Sequence, residues 1–235
     1  MESLSESLRI ALDLVLSLDP DLGEVVLLSL RVSFSALVIS SLVGLPLGAL
    51  LATSNFPGRG AVIIATNALM GLPPVVVGLF VYMMFSNSGP LGWLQLLYTP
   101  TAMIVAQTIL ILPIITALTR EIVENLNLEY RDFFNSLCLN QRDRLAALLW
   151  DARFSLLTVV LAGFGRAIAE VGAVIIVGGN INHLTRVMTS AIALETSKGN
   201  LPLAMALGII LLVIALTVNA LVSSLKTRQG EMSHA

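Results

Sequence analysis

The chain alternates long apolar runs with short polar segments. Each run is close to or above the roughly 20 residues that a helix needs to cross about 30 Å of hydrocarbon. No Asp or Glu occurs between Glu24 and Glu121, so the first half of this pattern carries very little charge. The pattern predicts an all-α membrane protein with about five transmembrane helices. The predicted spans cover about 25–52, 61–85, 101–119, 154–178 and 201–224.

The N-terminal segment, residues 1–22, differs from the five runs. Its apolar stretch IALDLVLSL is short and is interrupted by Asp13, and Glu2 and Glu6 stand where a signal peptide carries positive charge. The alternation of apolar and polar residues predicts an amphipathic helix that lies in the membrane interface. A frayed helix without a function is the alternative.

One stretch is strongly charged. Eleven of the twenty-eight charged residues lie between Arg120 and Arg153. Apolar residues recur there at helical spacing, and Asn140–Gln141 predicts a turn between two short helices. We predict that this loop, 120–153, carries an amphipathic helix that docks on a cytoplasmic partner, with a connector lying on the bilayer surface as the alternative. The apolar positions are Phe133, Phe134, Leu137, Leu145, Leu148 and Leu149.

The arginines and lysines predict an orientation, because cytoplasmic loops are enriched in them. If the charged loop is cytoplasmic, eight of these residues lie on its side of the membrane and three lie on the other. This predicts a multi-pass cell-membrane protein with its N-terminus outside and its C-terminus in the cytoplasm. The eight are Arg59, Arg120, Arg131, Arg142, Arg144, Arg153, Lys226 and Arg228, and the three are Arg9, Arg186 and Lys198.

The second and third predicted spans contain residues that break or polarise a helix. Pro73 and Pro74, in GLPPVVVG, remove two backbone donors from the second span, and Gln107 and Pro113 lie in the third. Freed carbonyls are tolerated in a bilayer only where protein or a water-filled cavity covers them. We therefore predict that Pro73, Pro74 and Gln107 line a translocation path. A purely structural kink is the alternative.

The fourth predicted span contains an acid and a base. Arg166 and Glu170 are four residues apart, so they share one face of a helix and can pair. Ionisable groups inside a membrane almost always face the bundle interior or an aqueous cavity. We predict either a polar lining of the path, in which Arg166 attracts an anion, or an ion pair that fixes helix packing.

The composition excludes several classes of function. With 56% hydrophobic and 12% charged residues, the chain is unlike a soluble domain, and a net charge of −2 argues against nucleic-acid binding. The single cysteine, Cys138, excludes an intrachain disulfide and a multi-cysteine metal site. No phosphate-loop or hydrolase motif occurs, so we expect no catalytic and no metal-binding residues. An ion-coupled secondary carrier remains an alternative, with Glu170 as its only intramembrane acid.

The charged loop resembles the cytoplasmic EAA loop in the permease subunits of ABC importers. The pattern of that family is E-A-A, three residues, Gly, then nine residues and I-x-L-P. Asp132, Phe133 and Phe134 occupy the E-A-A positions, and Cys138 occupies the glycine position. The remaining matched positions, where the family has Ile, Leu and Pro, are Leu148, Trp150 and Asp151.

Longer stretches carry a more specific resemblance, which covers about residues 25–223. The tungstate branch of oxyanion permeases, related to molybdate and sulfate permeases, is similar to this chain in GLPPVVVGL, SNSGPLGWLQLLYTPTAMIVAQTILILPI and GFGRAIAEVGAVIIVGGNINHLTRVMTSAIALETSKGN. The resemblance implies the type I ABC transmembrane fold and a non-catalytic subunit that conducts an oxyanion. Tungstate is the substrate that it favours, with molybdate or sulfate as the alternative. The domain boundaries that follow are 1–22 for the N-terminal segment, 23–225 for the transmembrane domain and 226–235 for a cytoplasmic tail.

The resemblance also implies partners. These are a second permease chain in a homodimer, a pair of cytoplasmic ATPase subunits that use the ATP, and an extracytoplasmic substrate-binding protein. The chain would contact membrane lipid and would bind no cofactor itself. The residues implied at the ATPase contact are Asp132, Phe133, Phe134, Leu137, Cys138, Asn140 and Arg142.

Overall fold

A computed structural model describes residues 4–17 and 20–233, and over these residues the chain is helical with no strand. The prediction of an all-α membrane protein is confirmed. A single 3-10 turn, Gly92–Leu94, interrupts the series of α-helices. The helices are α1 (Leu4–Leu16), α2 (Pro20–Thr53), α3 (Arg59–Met70), α4 (Pro74–Phe85), α5 (Pro100–Glu129), α6 (Arg131–Ser136), α7 (Gln141–Asp151), α8 (Arg153–Ile168), α9 (Gly172–Gly178), α10 (Met188–Lys198) and α11 (Leu201–Ser233).

Three helices are long and apolar enough to cross a membrane, judged by length and composition. They are α2, α5 and the Leu201–Ala220 part of α11. Two bent helix pairs, α3 with α4 and α7 with α8, raise the number to as many as five in the part of the chain that the structure describes. The predicted number of about five therefore depends on helices that bend or break.

The centre of the bundle is formed by α2 and α5, which pack along each other, and by α8 beside them. Leu37 of α2, Ile111 and Ile115 of α5, and Leu156 and Phe164 of α8 share one buried apolar core. Burying such side chains contributes about 1.5–3 kcal/mol each when the alternative is water. In a bilayer their close packing is what distinguishes this face from the lipid-facing one.

Two predicted spans end or break where the pattern did not indicate it. The third was expected to end near residue 119, but α5 continues to Glu129 because its extra turns bury Val123 against the charged loop. The fourth was expected to be continuous over 154–178. Instead α8 ends at Ile168 and α9 begins at Gly172.

The second predicted span is a sharp corner. Helices α3 and α4 meet at 102°, with Pro73 as the N-cap of α4 and Pro74 as its first residue. Proline is favoured at the first helical position, because its missing N–H would have no partner there in any case. The prolines therefore begin a new helix in a new direction.

The ends of the chain are helical where they are described. The α1 helix packs against α11, with Ala11 buried and Leu16 exposed, and its position in a membrane interface stays a prediction. Residues 1–3 and 18–19 of the predicted N-terminal segment, and 234–235 of the predicted tail, lie outside the described residues. From residue 226 the predicted tail continues α11 as far as Ser233.

Candidate functional site

Two helix breaks lie side by side in the bundle. A Cβ atom added to Gly78 of α4 would lie 2.8 Å from the Cα atom of Ala173 in α9. A Cβ atom added to Gly172, at the start of α9, would lie 2.9 Å from Cγ2 of Val75 at the start of α4. At Gly78 the two helices approach backbone to backbone, whereas at Gly172 the α9 backbone approaches a side chain of α4. The first turns of α4 and α9 therefore form one unit.

Glu170 lies in the break between α8 and α9 and makes two bonds there. Its Oε2 atom accepts a hydrogen bond from Nη1 of Arg166 (2.7 Å), and its Oε1 atom accepts one from the backbone N–H of Ala173 (3.0 Å). The second bond caps the N-terminus of α9, where a carboxylate is favourable. The Glu170 side chain is 3% exposed and that of Arg166 is 31% exposed. The pair therefore has a buried acid and a base that reaches the surface of the single chain.

Gln107 of α5 lies at the same level. Its Nε2 atom donates to the carbonyl of Ala167 (3.1 Å), whereas its buried Oε1 atom has no hydrogen-bond partner among the described residues. Gln107 and Glu170 line a cavity of about 10 Å³, which is about the room that one water molecule takes. A water there would satisfy the free carbonyl oxygen.

The structure brings three of the five predicted path residues together. Gln107 bonds to the end of α8 and Arg166 bonds to Glu170, which in turn bonds to the start of α9. Pro73 and Pro74 lie at the start of α4, and Pro73 is exposed on the surface of the single chain. The prolines lie beside the other three through the packing of α4 on α9, for example where Val75 meets Gly172.

Sequence reasoning missed two hydroxyls that fix this region. Ser29 of α2 accepts a hydrogen bond from the backbone N–H of Met188 (2.7 Å), and Thr189 donates to the carbonyl of Glu170 (2.7 Å). The first bond ties the start of α10 to α2, and the second ties it to the break. The only signal was a serine or threonine in an otherwise apolar run, which is common where a hydroxyl bonds the preceding turn of its own helix.

The charged loop folds into two short helices, α6 and α7, which we call the docking unit after the contact predicted for it. Phe134 of α6 and Leu148 of α7 are buried against Ala49, Ala52 and Val123 of the bundle. The loop is therefore attached to α2 and α5 through its own apolar core. A hydrogen bond from Nε2 of Gln141 to Oγ of Ser54 (2.8 Å) adds a second attachment.

The docking unit presents an aromatic groove of about 620 Å³. Phe133 and Trp150 line it and are exposed, whereas Phe134 is only 5% exposed. At its edge the Tyr130 hydroxyl donates to Oδ2 of Asp151 (2.7 Å), and this bond raises the pKa of Tyr130 above its ordinary value. Of the residues predicted at the ATPase contact, the exposed ones are Asp132, Phe133, Leu137, Cys138, Asn140 and Arg142.

An ion triad lies between the docking unit and the α3–α4 corner. Glu124 of α5 pairs with Arg59 at the start of α3 (2.7 Å) and with Arg120 one turn away. Arg59 also donates from Nε to the carbonyl of Leu51 in α2 (2.8 Å). The triad therefore joins α2, α3 and α5 close to the docking unit.

Residues 44–230, more than half of the chain, match the family described as binding-protein-dependent transport system inner membrane component. The chain belongs to this family. Its members are inner membrane components of transport systems that depend on a binding protein, and the type I ABC transmembrane fold predicted from the resemblance is confirmed.

The chain is similar to named permeases of this family over most of its length. It is 40% identical over 226 residues to the tungstate uptake system permease protein TupB of Peptoclostridium acidaminophilum, covering 96% of this chain and 99% of the relative. It is 41% identical to a probable anion ABC transporter permease protein of Haloferax volcanii, covering 85% and 88%. The sulfate transport system permease protein CysT of Escherichia coli is 26% identical, covering 84% and 74%.

These likenesses confirm the resemblance to ABC importer permeases. As a member of this family, the chain is a multi-pass membrane permease subunit, a class that works with an ATPase and a substrate-binding protein. The family gives no support to the alternative of an ion-coupled secondary carrier.

Cys138 shows why the family pattern has glycine at its position. The residue follows α6 with φ 49°, in the left-handed region that favours glycine. Its backbone N–H donates to the carbonyl of Asn135 (3.2 Å), and that of Leu139 donates to the carbonyl of Phe134 (3.4 Å). This is a helix end of the type that glycine usually closes. The permease keeps the turn although it lacks the glycine.

Proposed function

We propose that the chain is the membrane permease of an ATP-driven importer of tungstate. The observation that carries the proposal is the 40% identity to a tungstate uptake permease over 96% of this chain. A sulfate permease is 26% identical over 84% of the chain, which makes sulfate a weaker candidate. Molybdate differs little from tungstate in charge and shape, so it is the alternative that the experiment has to exclude.

Energy would come from separate ATPase subunits that grip the docking unit. Phe133 and Trp150 would fill a cleft on the ATPase, since exposed aromatic residues are the usual anchors of such contacts. Phe134 would act differently, because it is buried against α2 and α5 and can pass a movement of α6 to the bundle. The chain itself would hydrolyse no ATP and bind no cofactor.

The path would run past the paired helix breaks. Both carboxylate oxygens of Glu170 are already hydrogen-bonded, one to Arg166 and one to the start of α9, which favours a structural role. Arg166 donates one of its five N–H groups to Glu170, and its side chain is 31% exposed in the single chain, so other donors of the guanidinium can meet a ligand. We therefore assign the anion-facing role to Arg166 and the supporting role to Glu170.

A second copy of the chain would cover the α3–α4 corner. The break at residues 71–73 is exposed in the single chain, and α4 presents Val75, Val76, Leu79 and Phe80 to the outside. Irregular backbone at membrane depth persists only where protein or a lined cavity covers it. A homodimer through α4 would provide that cover and would place two copies of the paired breaks around one path.

The proposed orientation follows the arginines and lysines. The docking unit and the C-terminus would face the cytoplasm, whereas the 180–187 loop and the N-terminus would face the substrate-binding protein outside. The binding protein would select the oxyanion before this chain meets it.

Uptake by the reconstituted system tests the proposal. Proteoliposomes would contain the permease, its ATPase and its binding protein, and the accumulated oxyanion would be measured with tungstate, molybdate or sulfate outside. We expect ATP-dependent uptake of tungstate in preference to the other two. Preferential uptake of molybdate or sulfate, or uptake that persists without the ATPase, would overturn the proposal. Arg166→Gln is expected to lower tungstate uptake while the ATPase still binds.

The docking contact is tested by Phe133→Asp, with Leu128→Asp as the matched control. Both side chains are exposed, but Leu128 lies outside the aromatic groove. We expect Phe133→Asp to lower ATPase retention and ATP-driven uptake at least tenfold, because the charge would be buried on docking. Leu128→Asp should leave ATPase retention and ATP-driven uptake unchanged. Phe134→Asp is unsuitable, since that residue is buried inside the docking unit. Unchanged uptake by Phe133→Asp would contradict the contact.

A further inference from the structure

The backbone preferences of residues 169–171 do not explain the break between α8 and α9. Ala169, Glu170 and Val171 include neither proline nor glycine, and alanine and glutamate are good helix formers. Gly172 follows them, and a single glycine weakens a helix without ending it. The local sequence therefore allows a continuous helix, and contacts from elsewhere have to hold the chain open at this point.

Three backbone groups at the break bond to side chains. In a continuous helix each N–H donates to the carbonyl four residues earlier, which would pair the carbonyls of Ala167 and Glu170 and the N–H of Ala173 within the backbone. Here the Ala167 carbonyl accepts from the Glu170 N–H (3.3 Å) and from Nε2 of Gln107 (3.1 Å). The Glu170 carbonyl accepts from the hydroxyl of Thr189 (2.7 Å), and the Ala173 N–H donates to Oε1 of Glu170 (3.0 Å). These side chains satisfy the break, because unpaired backbone groups are not tolerated inside a membrane.

Gln107 reaches the break from α5, the helix that also contacts the docking unit. Its partner Ala167 directly follows Arg166, so the bond holds the turn of α8 that carries the Arg166 side chain. Helix α5 runs without interruption from Gln107 to Val123, which packs in one apolar core with Phe134 of the docking unit. A displacement of α5 by the docking unit would therefore act on that turn of α8 through this hydrogen bond.

Gln107 is not the side chain that stability alone would favour. It is 3% exposed, and its Oε1 atom has no hydrogen-bond partner among the described residues. A buried acceptor without a partner destabilises the folded state. A methionine of similar length would lose the bond to Ala167, but it would also remove the unmet acceptor. The amide at this position therefore favours a role in positioning over a role in stability.

We propose that Gln107 is a positioning residue for oxyanion transport, which acts by holding the turn of α8 that carries Arg166. The inference rests on the proposed function, in which Arg166 meets the oxyanion. When α5 shifts relative to α8, the bond to Ala167 carries the shift to Arg166, and the guanidinium moves towards or away from the oxyanion. Thr189 belongs to α10 and holds the other side of the break.

A double-mutant cycle tests the inference. ATP-driven tungstate uptake would be measured in the proteoliposomes with Gln107→Met, with Arg166→Lys and with both changes together. Methionine keeps the length of glutamine but donates no hydrogen bond, and lysine keeps the charge of arginine at a shorter reach. We expect each single variant to lower the uptake rate about fivefold. The double variant should be no slower than the slower single variant, because residues that act through one contact are not additive.

The stability of the variants separates positioning from folding. Gln107→Met should retain the ATPase and should unfold in detergent within about 2 °C of the wild type. Thr116→Val is the matched control, since Thr116 is also buried in α5 but its hydroxyl donates to the Leu112 carbonyl of the same helix (2.8 Å). It should leave uptake unchanged. Gln107→Asn keeps the amide but is too short to reach Ala167, so it should lower uptake even if the methionine variant folds poorly.

Several outcomes would overturn the inference. Multiplied effects, about 25-fold in the double variant, would show that Gln107 acts independently of Arg166. Full uptake by Gln107→Met and Gln107→Asn would show that the bond to Ala167 has no role in transport. An equal loss in Thr116→Val would assign the effect to the packing of α5. Full uptake by Arg166→Gln would instead contradict the anion-facing role of Arg166 in the proposed function, and the inference would fall with it.

Discussion

At position 138 the backbone has φ 49° and the side chain is a cysteine. A non-glycine residue in this region costs roughly 1–2 kcal/mol. Cys138→Gly is therefore expected to raise the free energy of unfolding by about 1 kcal/mol, after the added freedom of glycine in the unfolded chain is subtracted. The measurement is thermal unfolding of the detergent-solubilised permease. Cys138→Ala is the control, because it removes the thiol but keeps the strain, and equal stabilisation by both variants would contradict the explanation.

The surroundings of His183 make the stability of the 180–187 loop depend on pH. Its hydrogen bond to Glu24, and then the charge of Glu24, raise the pKa of His183, with a smaller contribution from Asp21, while desolvation and Arg186 act in the opposite direction. A raised pKa means that the folded state binds the proton more tightly than the unfolded state does. The pair of protonated His183 and Glu24 therefore stabilises the folded state fully when the pH is below the unfolded pKa of about 6.5. This stabilisation is lost as the pH rises through the pKa of His183 in the folded state.

Hydrogen exchange of residues 180–187 measures this effect. We expect the loop to be more protected at pH 6 than at pH 9, after correction for the intrinsic exchange rate. Glu24→Gln should remove most of the difference, because the charge that raises the pKa is gone. A difference that survives in Glu24→Gln would assign the pH dependence to another group.

Among the helices, the contact of α4 with α9 makes the sharpest prediction. A Cβ atom at residue 78 would lie 2.8 Å from a backbone atom of Ala173, so one helix has to move. Gly78→Ala is expected to cost about 1–3 kcal/mol, as overpacking does elsewhere. Gly208→Ala in α11 is the matched control, since nothing lies within 4 Å of its added Cβ atom, and it should be neutral or slightly stabilising. Unfolding in detergent would measure both, and an equal effect would show that α4 and α9 are not closely packed.

The two broken spans show how far sequence reasoning reaches at this scale. Pro73 and Pro74 mark the break in the second span, because a proline pair has a direct backbone consequence. Nothing comparable marks residues 169–171, where only Gly172 and the polar Glu170 interrupt an apolar run. That break exists because α9 packs on α4 and because Glu170 caps it. Both causes are tertiary, so periodicity along the chain contains neither of them.

In the docking unit, too, the sequence alone does not show which side chains are buried. Phe133 and Phe134 are adjacent and chemically identical, and the sequence assigned both to a partner contact. The structure buries Phe134 against Ala49 and Val123 and leaves Phe133 62% exposed. Which of the two faces outward depends on where α6 meets α2 and α5, and this contact joins residues about 85 positions apart in the chain. The helices of this loop were predictable, whereas the side that each of them buries was not.

At the scale of the whole molecule, one line of contacts joins the docking unit to the paired breaks. Phe134 packs on α2 and α5, Glu124 of α5 pairs with Arg59 of α3, and α3 leads through the corner into α4. Helix α4 then contacts α9 at Gly78. In the proposed mechanism, a movement of α6 would reach the start of α9 along these contacts, by way of the corner where α3 and α4 meet at 102°.

The proposed homodimer predicts cross-linking across that corner. In a two-fold symmetric dimer, a residue close to the axis lies opposite its own copy, and two cysteines bridge only when their Cα atoms are within about 7 Å. Single cysteines would be placed on the exposed face of α4, at Val75, Val76, Leu79 and Phe80, in a Cys138→Ser background. We expect at least one of them to give a disulfide-linked dimer in native membranes on mild oxidation, measured on a non-reducing gel.

The controls are single cysteines at Leu212, Val213 and Leu216 of α11. These positions are equally apolar and exposed, but they lie on an unbroken helix that lipid can cover. Dimers from α11 rather than α4 would move the interface to the other side of the bundle, and the corner at residues 71–73 would then need another cover.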